Sequence, residues 1–488
     1  MKIQNTLKLG LSLFVVLSVS CDKSLQNKDE QPHYFVECWL GEVGQEEFPF
    51  TKVEDKALST FSIDVDTASY TYARAQINEG RTPEISRLRT EEFVNYFKYE
   101  STEPVEFNNN LSVSYEVGDA PWEPSHRLLK AIIKAKEVKP SQVSPLNLVF
   151  LIDVSGSMDG EGRLGLVKES LNFLIDHLRP EDRISIVTYG DKVSVLLQGA
   201  DGGQKNQIRD IVNGLTAAGS TAGHAGIQTA YEIAHKFFSD KGISRVILST
   251  DGDFNVGITD TKQLTEYVAH WARSNIFLTV HGYGMGNFND EMLEKISNEG
   301  NGNYAYIDSS AEAKKTFQMQ IIKTVSLVAK DVKVQVNFQG SEVLAYRLIG
   351  YENRRLIDSD FENDSKDAGD MGAGHTVVAL YELILKQDKA ESLHPKIGAL
   401  NLRYKNFPRE DVSHLYITEM SDSKKNIPSA DFCFASSVAG FALKLAESKY
   451  IGDYNYKDIQ KRLVEQCGVT DEQFERFEFL NLVKKMTP

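Results

Sequence analysis

The chain has 488 residues, 41% of them hydrophobic and 25% charged, a composition that excludes a fibrous or disordered protein and has length for two or three domains. Its formal charge of −15 argues against nucleic acid, which needs a basic face, and against charge-driven docking on an anionic membrane.

In chain order, Lys2 and Lys8 form a positive start and residues 9–19 an apolar run too short to span a bilayer as a mature helix. Small residues then lead to Cys21, in the run Ser18-Val19-Ser20-Cys21. Residues 1–20 read as an export signal, and their removal would take the charge to −17. The segment resembles a bacterial lipoprotein signal, which implies cleavage before Cys21 and lipid on it. It departs from the usual pattern, because Leu17 stands one place early and Ser18 holds its position; plain secretion is the alternative. Residues 21–55 are a polar tether. Of the other cysteines, Cys433 and Cys467 can pair in an exported setting, or Cys433 can remain a buried thiol in its apolar helical run.

Residues 56–145 mix helical runs (68–79 and 90–99) with strands (60–65, 111–117 and 128–135). From residue 146 the pattern becomes strand–helix alternation. The predicted strands are 146–153, 183–189, 193–197, 245–250, 276–281 and 304–307. Helices 163–178, 205–215, 223–238, 262–274, 289–298 and 311–329 separate or follow them. The turn Gly190-Asp191 is too short for a crossover, so strand 193–197 must pair antiparallel. Residues 146–329 therefore read as an α/β doubly wound, mostly parallel sheet with one antiparallel edge. Residues 330–488 hold strands 332–338, 343–348, 376–385 and 399–404, then helices 430–447, 456–465 and 472–485, the first capped by Ser429. Strands on either side of the α/β unit can complete one sheet, making that unit an insertion between β-rich segments.

The chemistry gathers where strands end. Strand 146–153 runs apolar into Asp153, followed by Ser155 and Ser157 at alternate positions. Oxygen-only ligands at this spacing suit a hard cation. Asp251 ends strand 245–250, and in a 3-2-1-4-5-6 sheet the two strands are neighbours at the switch point, where ligands bind. The loop before helix 223–238 can bring Thr221 to the same crevice.

Asp153-x-Ser155-x-Ser157, Thr221 and Asp251 together resemble the metal-ion-dependent adhesion site of von Willebrand factor type A domains, over about residues 146–329. The segments 59–70 and 367–376 are similar to those flanking the type A domain in a family of bacterial lipoproteins. The resemblance implies Mg²⁺ or Mn²⁺, with Ca²⁺ as a further alternative, held with a position open to an Asp or Glu carboxylate of a protein ligand. It implies a lipid-anchored protein of the bacterial cell envelope. Asp253, His224 and Asn255 are expected at the rim, and the last helix, 311–329, is expected to be a fixed packing element.

Other signals are weaker. Asp251-Gly-Asp253-Phe-Asn255 starts like an EF-hand loop, but Val256 replaces the glycine and Lys262 the final glutamate. Gly282-Tyr-Gly284-Met-Gly286 lacks the spacing of a nucleotide loop. Asp64 and Asp66 could hold a second ion, but fit a strand-end turn better. Ser155 and Ser157 lack G-x-S-x-G framing and the histidines are scattered, so no catalytic constellation is expected. A metal-dependent hydrolase and a scaffold with an inactive site are the alternatives.

Overall fold

The computed structural model describes residues 47–100, 110–139, 142–219, 223–252, 261–284, 290–320, 326–386, 394–407, 412–423 and 428–487. The elements before the α/β unit are β1 (Thr51–Lys52), β2 (Leu58–Ser62), α1 (Ala68–Asn78), α2 (Thr90–Asn95), β3 (Leu111–Ala120) and β4 (Glu123–Ala135). The α/β unit comprises β5 (Leu146–Asp153), α3 (Leu166–Ile175), β6 (Arg183–Tyr189), β7 (Ser194–Asp201), α4 (Lys205–Asn213), α5 (Gly223–Lys236), β8 (Ile243–Thr250), α6 (Thr261–Arg273), β9 (Ile276–Tyr283), α7 (Asp290–Glu299), β10 (Tyr304–Ile307) and α8 (Ser310–Lys314). After it come β11 (Leu327–Phe338), β12 (Val343–Ile349), β13 (Gly369–Gly372), β14 (Thr376–Leu385), β15 (Lys396–Asn406), β16 (His414–Ser421), α9 (Ala430–Leu445), α10 (Tyr456–Glu465) and α11 (Phe474–Met486).

The six strands of the α/β unit lie in the order β10-β9-β8-β5-β6-β7, all neighbours parallel except β6 and β7. This is the expected doubly wound order with its antiparallel edge. β5, Leu-Asn-Leu-Val-Phe-Leu-Ile-Asp, is buried along its whole length. A near-continuous apolar run is what a central parallel strand needs, because helices cover both of its faces. Leu148, Phe150 and Ile152 pack with Val167, Leu171 and Leu174 of α3. Val149 and Leu151 pack on the other face with Ile227 and Tyr231 of α5, Val268 of α6 and Ile296 of α7.

The flanking strands form two sheets rather than the single sheet expected. One has the order β1-β12-β14-β4-β3; the other has the order β13-β11-β15-β16, with β2 beside β11. Each sheet takes strands from before and after the α/β unit, through β4 with β14, β1 with β12 and β2 with β11. The α/β unit is thus inserted between β4 and β11 of a sandwich. Its core joins Leu129, Ile133, Val377 and Tyr381 of the first sheet to Phe61, Val334, Val336 and Leu402 of the second. The outer face of the first sheet carries Leu128, Ile132, Val378 and Leu380, on which α1, α2 and the three C-terminal helices pack. The Ser429 side chain accepts from the Phe432 N–H at 3.0 Å, the expected cap of α9. A Cys433–Cys467 disulfide ties α9 to the segment after α10.

The predicted helix 311–329 is overturned. α8 ends at Lys314, an irregular helical stretch follows to Gln320, and Leu327–Ala329 already belong to β11. Leu327 faces Gly372 and Ala329 faces Asn406, so pairing within the sandwich overrides the local helical pattern.

Candidate metal centre

Asp153 is the last residue of β5 and is fully buried. Its carboxylate is held from three sides. Oδ1 accepts from the Ser155 N–H at 2.9 Å. Oδ2 accepts from Tyr189 OH at 3.1 Å and from Thr250 Oγ1 at 3.2 Å. Tyr189 faces Asp153 across the β5–β6 pairing, and Thr250 ends β8. Sheet register therefore fixes this carboxylate. The chain then turns, bringing Ser155 Oγ to 3.0 Å from Ser157 Oγ. Ser155 is 2% exposed and Ser157 half-buried, so the hydroxyl pair sits at the mouth of the crevice. Arg163 donates to the Ser157 carbonyl at 2.6 Å and closes the turn.

Asp251 follows Thr250 at the end of β8 and is 5% exposed. β5 and β8 are parallel neighbours, with Ile152 opposite Ser249, so Asp153 and Asp251 end adjacent strands. Burial holds the Asp153 carboxyl above its ordinary range, opposed by its bonds to Ser155, and the Asp251 charge adds to the rise.

The loop before α5 is fastened to the Asp153 turn. Gly156 N–H donates to the Gly219 carbonyl at 2.9 Å, and Ala218 N–H donates to the Val154 carbonyl at 2.8 Å. Gly219 has φ +84°, and a Cβ there would lie 2.1 Å from the Asp191 carboxylate, so only glycine fits. Thr221, Asp253 and Asn255 lie outside the described residues, as does Cys21. His224 falls in the first turn of α5, but its side chain is also outside them. The structure thus brings together Asp153, Ser155, Ser157 and Asp251. It adds Tyr189, Thr250 and Arg163, which the sequence reading missed. The parallel pairing of strand 146–153 with strand 183–189 was the signal for Tyr189.

The donor set fits a hard divalent cation. Two hydroxyls and two carboxylates, with like charges close enough to raise one pKa, are what Mg²⁺ or Mn²⁺ would draw together. Among the described residues no three His, Cys, Asp or Glu side chains converge as metal ligands, so hydroxyls must complete any ion site here.

Residues 147–320 match the family model of the von Willebrand factor type A domain. Residues 43–130 match a model described as "von Willebrand factor", and residues 323–488 one described as "Uncharacterized protein YfbK, C-terminal". Fold and site define a von Willebrand factor type A protein. The uncharacterized protein YfbK of Escherichia coli (strain K12) is 38% identical over 457 residues, which cover 89% of this chain and 79% of that protein. The chain belongs to the YfbK family. Protein sll0103 of Synechocystis is 32% identical over 220 residues, 45% of this chain and 51% of that one. Among solved structures, a von Willebrand factor type A protein from Catenulispora acidiphila aligns over 77% of this chain and 91% of its own, at TM-score 0.45 and 16% identity.

Proposed function

We propose that this chain is a lipid-anchored protein of the bacterial cell envelope that binds a protein partner through Mg²⁺ or Mn²⁺. Asp153, Ser155, Ser157, Thr221 and Asp251 hold the ion, directly or through water. The partner supplies an Asp or Glu carboxylate to the open position. The observation that carries this reading is the hydroxyl pair of Ser155 and Ser157, 3.0 Å apart beside two strand-end carboxylates. Neutral hydroxyl ligands leave the ion electron-poor, and Mg²⁺ keeps exchangeable waters, so an incoming carboxylate finds both charge and a vacant place. Asp253, Asn255 and His224 form the rim that selects the partner. The anchor is lipid on Cys21. No helix among the described residues is long and apolar enough to cross a membrane.

The test is retention of envelope proteins by the immobilised full chain in Mg²⁺ and in EDTA, beside the Ser155→Ala/Ser157→Ala variant. The reading predicts a partner held by the native chain in Mg²⁺ and released by EDTA or by the double substitution. Equal retention in all three conditions would favour a scaffold whose metal site is idle. Cys21→Ser is expected to move the chain from the membrane to the soluble fraction; unchanged membrane association would contradict the anchor.

A further inference from the structure

Beside β10, the edge strand of the parallel sheet, lies a second polar site. There the α7–β10 loop meets the sandwich across a cleft of about 390 Å³. Asp64 and Asp66 enter it from the segment after β2, Glu294 from α7, Arg354 from the turn after β12, and Asp370 from β13.

The charges in the cleft are unevenly matched. Arg354 is the basic group at its base. Through one nitrogen, Nη2, it donates to Asp64 Oδ1 at 2.7 Å, Asp66 Oδ2 at 3.2 Å and Asn298 Oδ1 at 2.7 Å. Asp66 Oδ1 is taken by the Tyr304 N–H at 2.8 Å. Asp64 Oδ2 is left without a donor, although its side chain is only 1% exposed. Asp370 Oδ2 is likewise shut from solvent and has no hydrogen-bond partner. Lys295, Arg355 and Lys366 stand exposed at the rim. Burial pushes the Asp370 carboxyl up to about 7 against the pull of the Lys330 charge. Arg354 Nε and Asn353 Oδ1 also have no hydrogen-bond partner, so among the described residues the cleft offers one unused donor and three unused acceptors. Buried polar atoms are nearly always paired, and several orphans lining one cavity of ligand-binding size mark a place where a ligand completes them.

We infer that this cleft binds an organic cation, an ammonium or guanidinium group with a hydrogen-bond acceptor beside it. The cation pairs with Asp64 and Asp370, and the acceptor meets Arg354 Nε. A metal ion fits less well, because among the described residues no three acidic, His or Cys side chains converge as ligands. A lysine or arginine of a partner protein and a free small amine present the same chemistry. The inference is independent of the metal centre at the Asp153 turn.

Calorimetric titration of the full chain with argininamide, with cadaverine and with an end-blocked Gly-Lys-Gly peptide tests it. The expected result is saturable binding of at least one probe, weakened tenfold or more by Asp370→Asn and by Asp64→Asn, and unchanged by Ser155→Ala/Ser157→Ala. Asp64→Asn disturbs the bond to Arg354 and could unfold the chain; Asp370→Asn loses no hydrogen bond to Oδ2 and keeps the test valid. Binding of the blocked peptide alone would assign the cation to a protein partner, and binding of cadaverine to a free amine. No saturable binding of any probe, or binding indifferent to Asp370→Asn, would overturn the inference. So would Mg²⁺ or Ca²⁺ binding in the Ser155→Ala/Ser157→Ala chain that Asp64→Asn removes, since the site would then hold a metal.

Discussion

The Asp153 turn and the seam between the inserted unit and its flanking helices use acids in opposite ways. At the Asp153 end the carboxylate is steadied by uncharged donors, Tyr189, Thr250 and the Ser155 N–H, and the hydroxyls of Ser155 and Ser157 stand at the mouth. Along the seam with the flanking helices, carboxylates meet arginines. Arg74 holds Asp308 at 2.6 Å and Glu312 at 2.8 Å, and Arg89 holds Asp290 at 2.8 Å and also pairs with Glu294. Tyr96 OH donates to Glu312 at 2.7 Å and Ser69 N–H to Glu92 at 2.7 Å. Uncharged donors orient an acid and leave its charge for an ion. Arginines consume the charge and fasten the inserted unit to its host. The first arrangement is suited to binding, the second to holding the α/β unit in place.

That contrast can be broken most severely at the seam. Arg74→Met strands two buried carboxylates and should lower stability by about 3–5 kcal/mol, read by urea denaturation. A loss under about 1 kcal/mol would mean the seam is not a clamp. A second probe is pH. Burial, with the Glu352 and Asp64 charges behind it, pushes Glu91 up to about 8, and burial pushes Glu294 up to about 7 against the pull of Arg89 and Arg354. An acid whose folded pKa is raised binds more protons folded than unfolded, so its favourable contribution is complete below the unfolded value and is lost as pH rises through the folded one. Stability should therefore fall between about pH 4.5 and 8, by more than about 1 kcal/mol, with Glu91→Gln flattening the decline. Denaturation midpoints at pH 5 and pH 8 for both chains check this; parallel curves would show that Glu91 does not titrate in the window. At the Asp153 turn, Tyr189→Phe removes one bond to Asp153 and should weaken divalent-ion affinity roughly tenfold, by calorimetry, with little change in fold. Ser155→Ala/Ser157→Ala should lower the metal-free stability by only about 1–2 kcal/mol, because it removes the bond between the two hydroxyls and the Ser155 hydroxyl's bond to the Asp153 carboxylate.

The Asp153 turn was far more legible in sequence than the seam. Asp153, Ser155, Ser157 and Asp251 lie at the ends of strongly patterned strands, and strand order alone made the carboxylates neighbours. The seam joins residues hundreds of positions apart, such as Arg74 with Asp308 and Asp64 with Arg354, which no local pattern reveals. The same limit explains the last helix. Residues 317–329 carry no glycine or proline and read as helical until pairing with β13 and β15 draws Leu327–Ala329 into the sandwich. β16 was missed because it is an edge strand with Leu415 and Ile417 exposed, and β13 because it is short and glycine-flanked. The cysteine pairing stayed open in sequence; the fold brings α9 and the end of α10 together and joins Cys433 to Cys467.

The central claim is that the Asp153 turn holds a divalent ion through hydroxyls. Titration of Mg²⁺ and Mn²⁺ into the metal-free full chain, beside Ser155→Ala/Ser157→Ala, tests it most directly. The account predicts saturable binding at one site in the native chain and its loss in the variant. Binding that survives the double substitution, or none to either ion in the native chain, would contradict it.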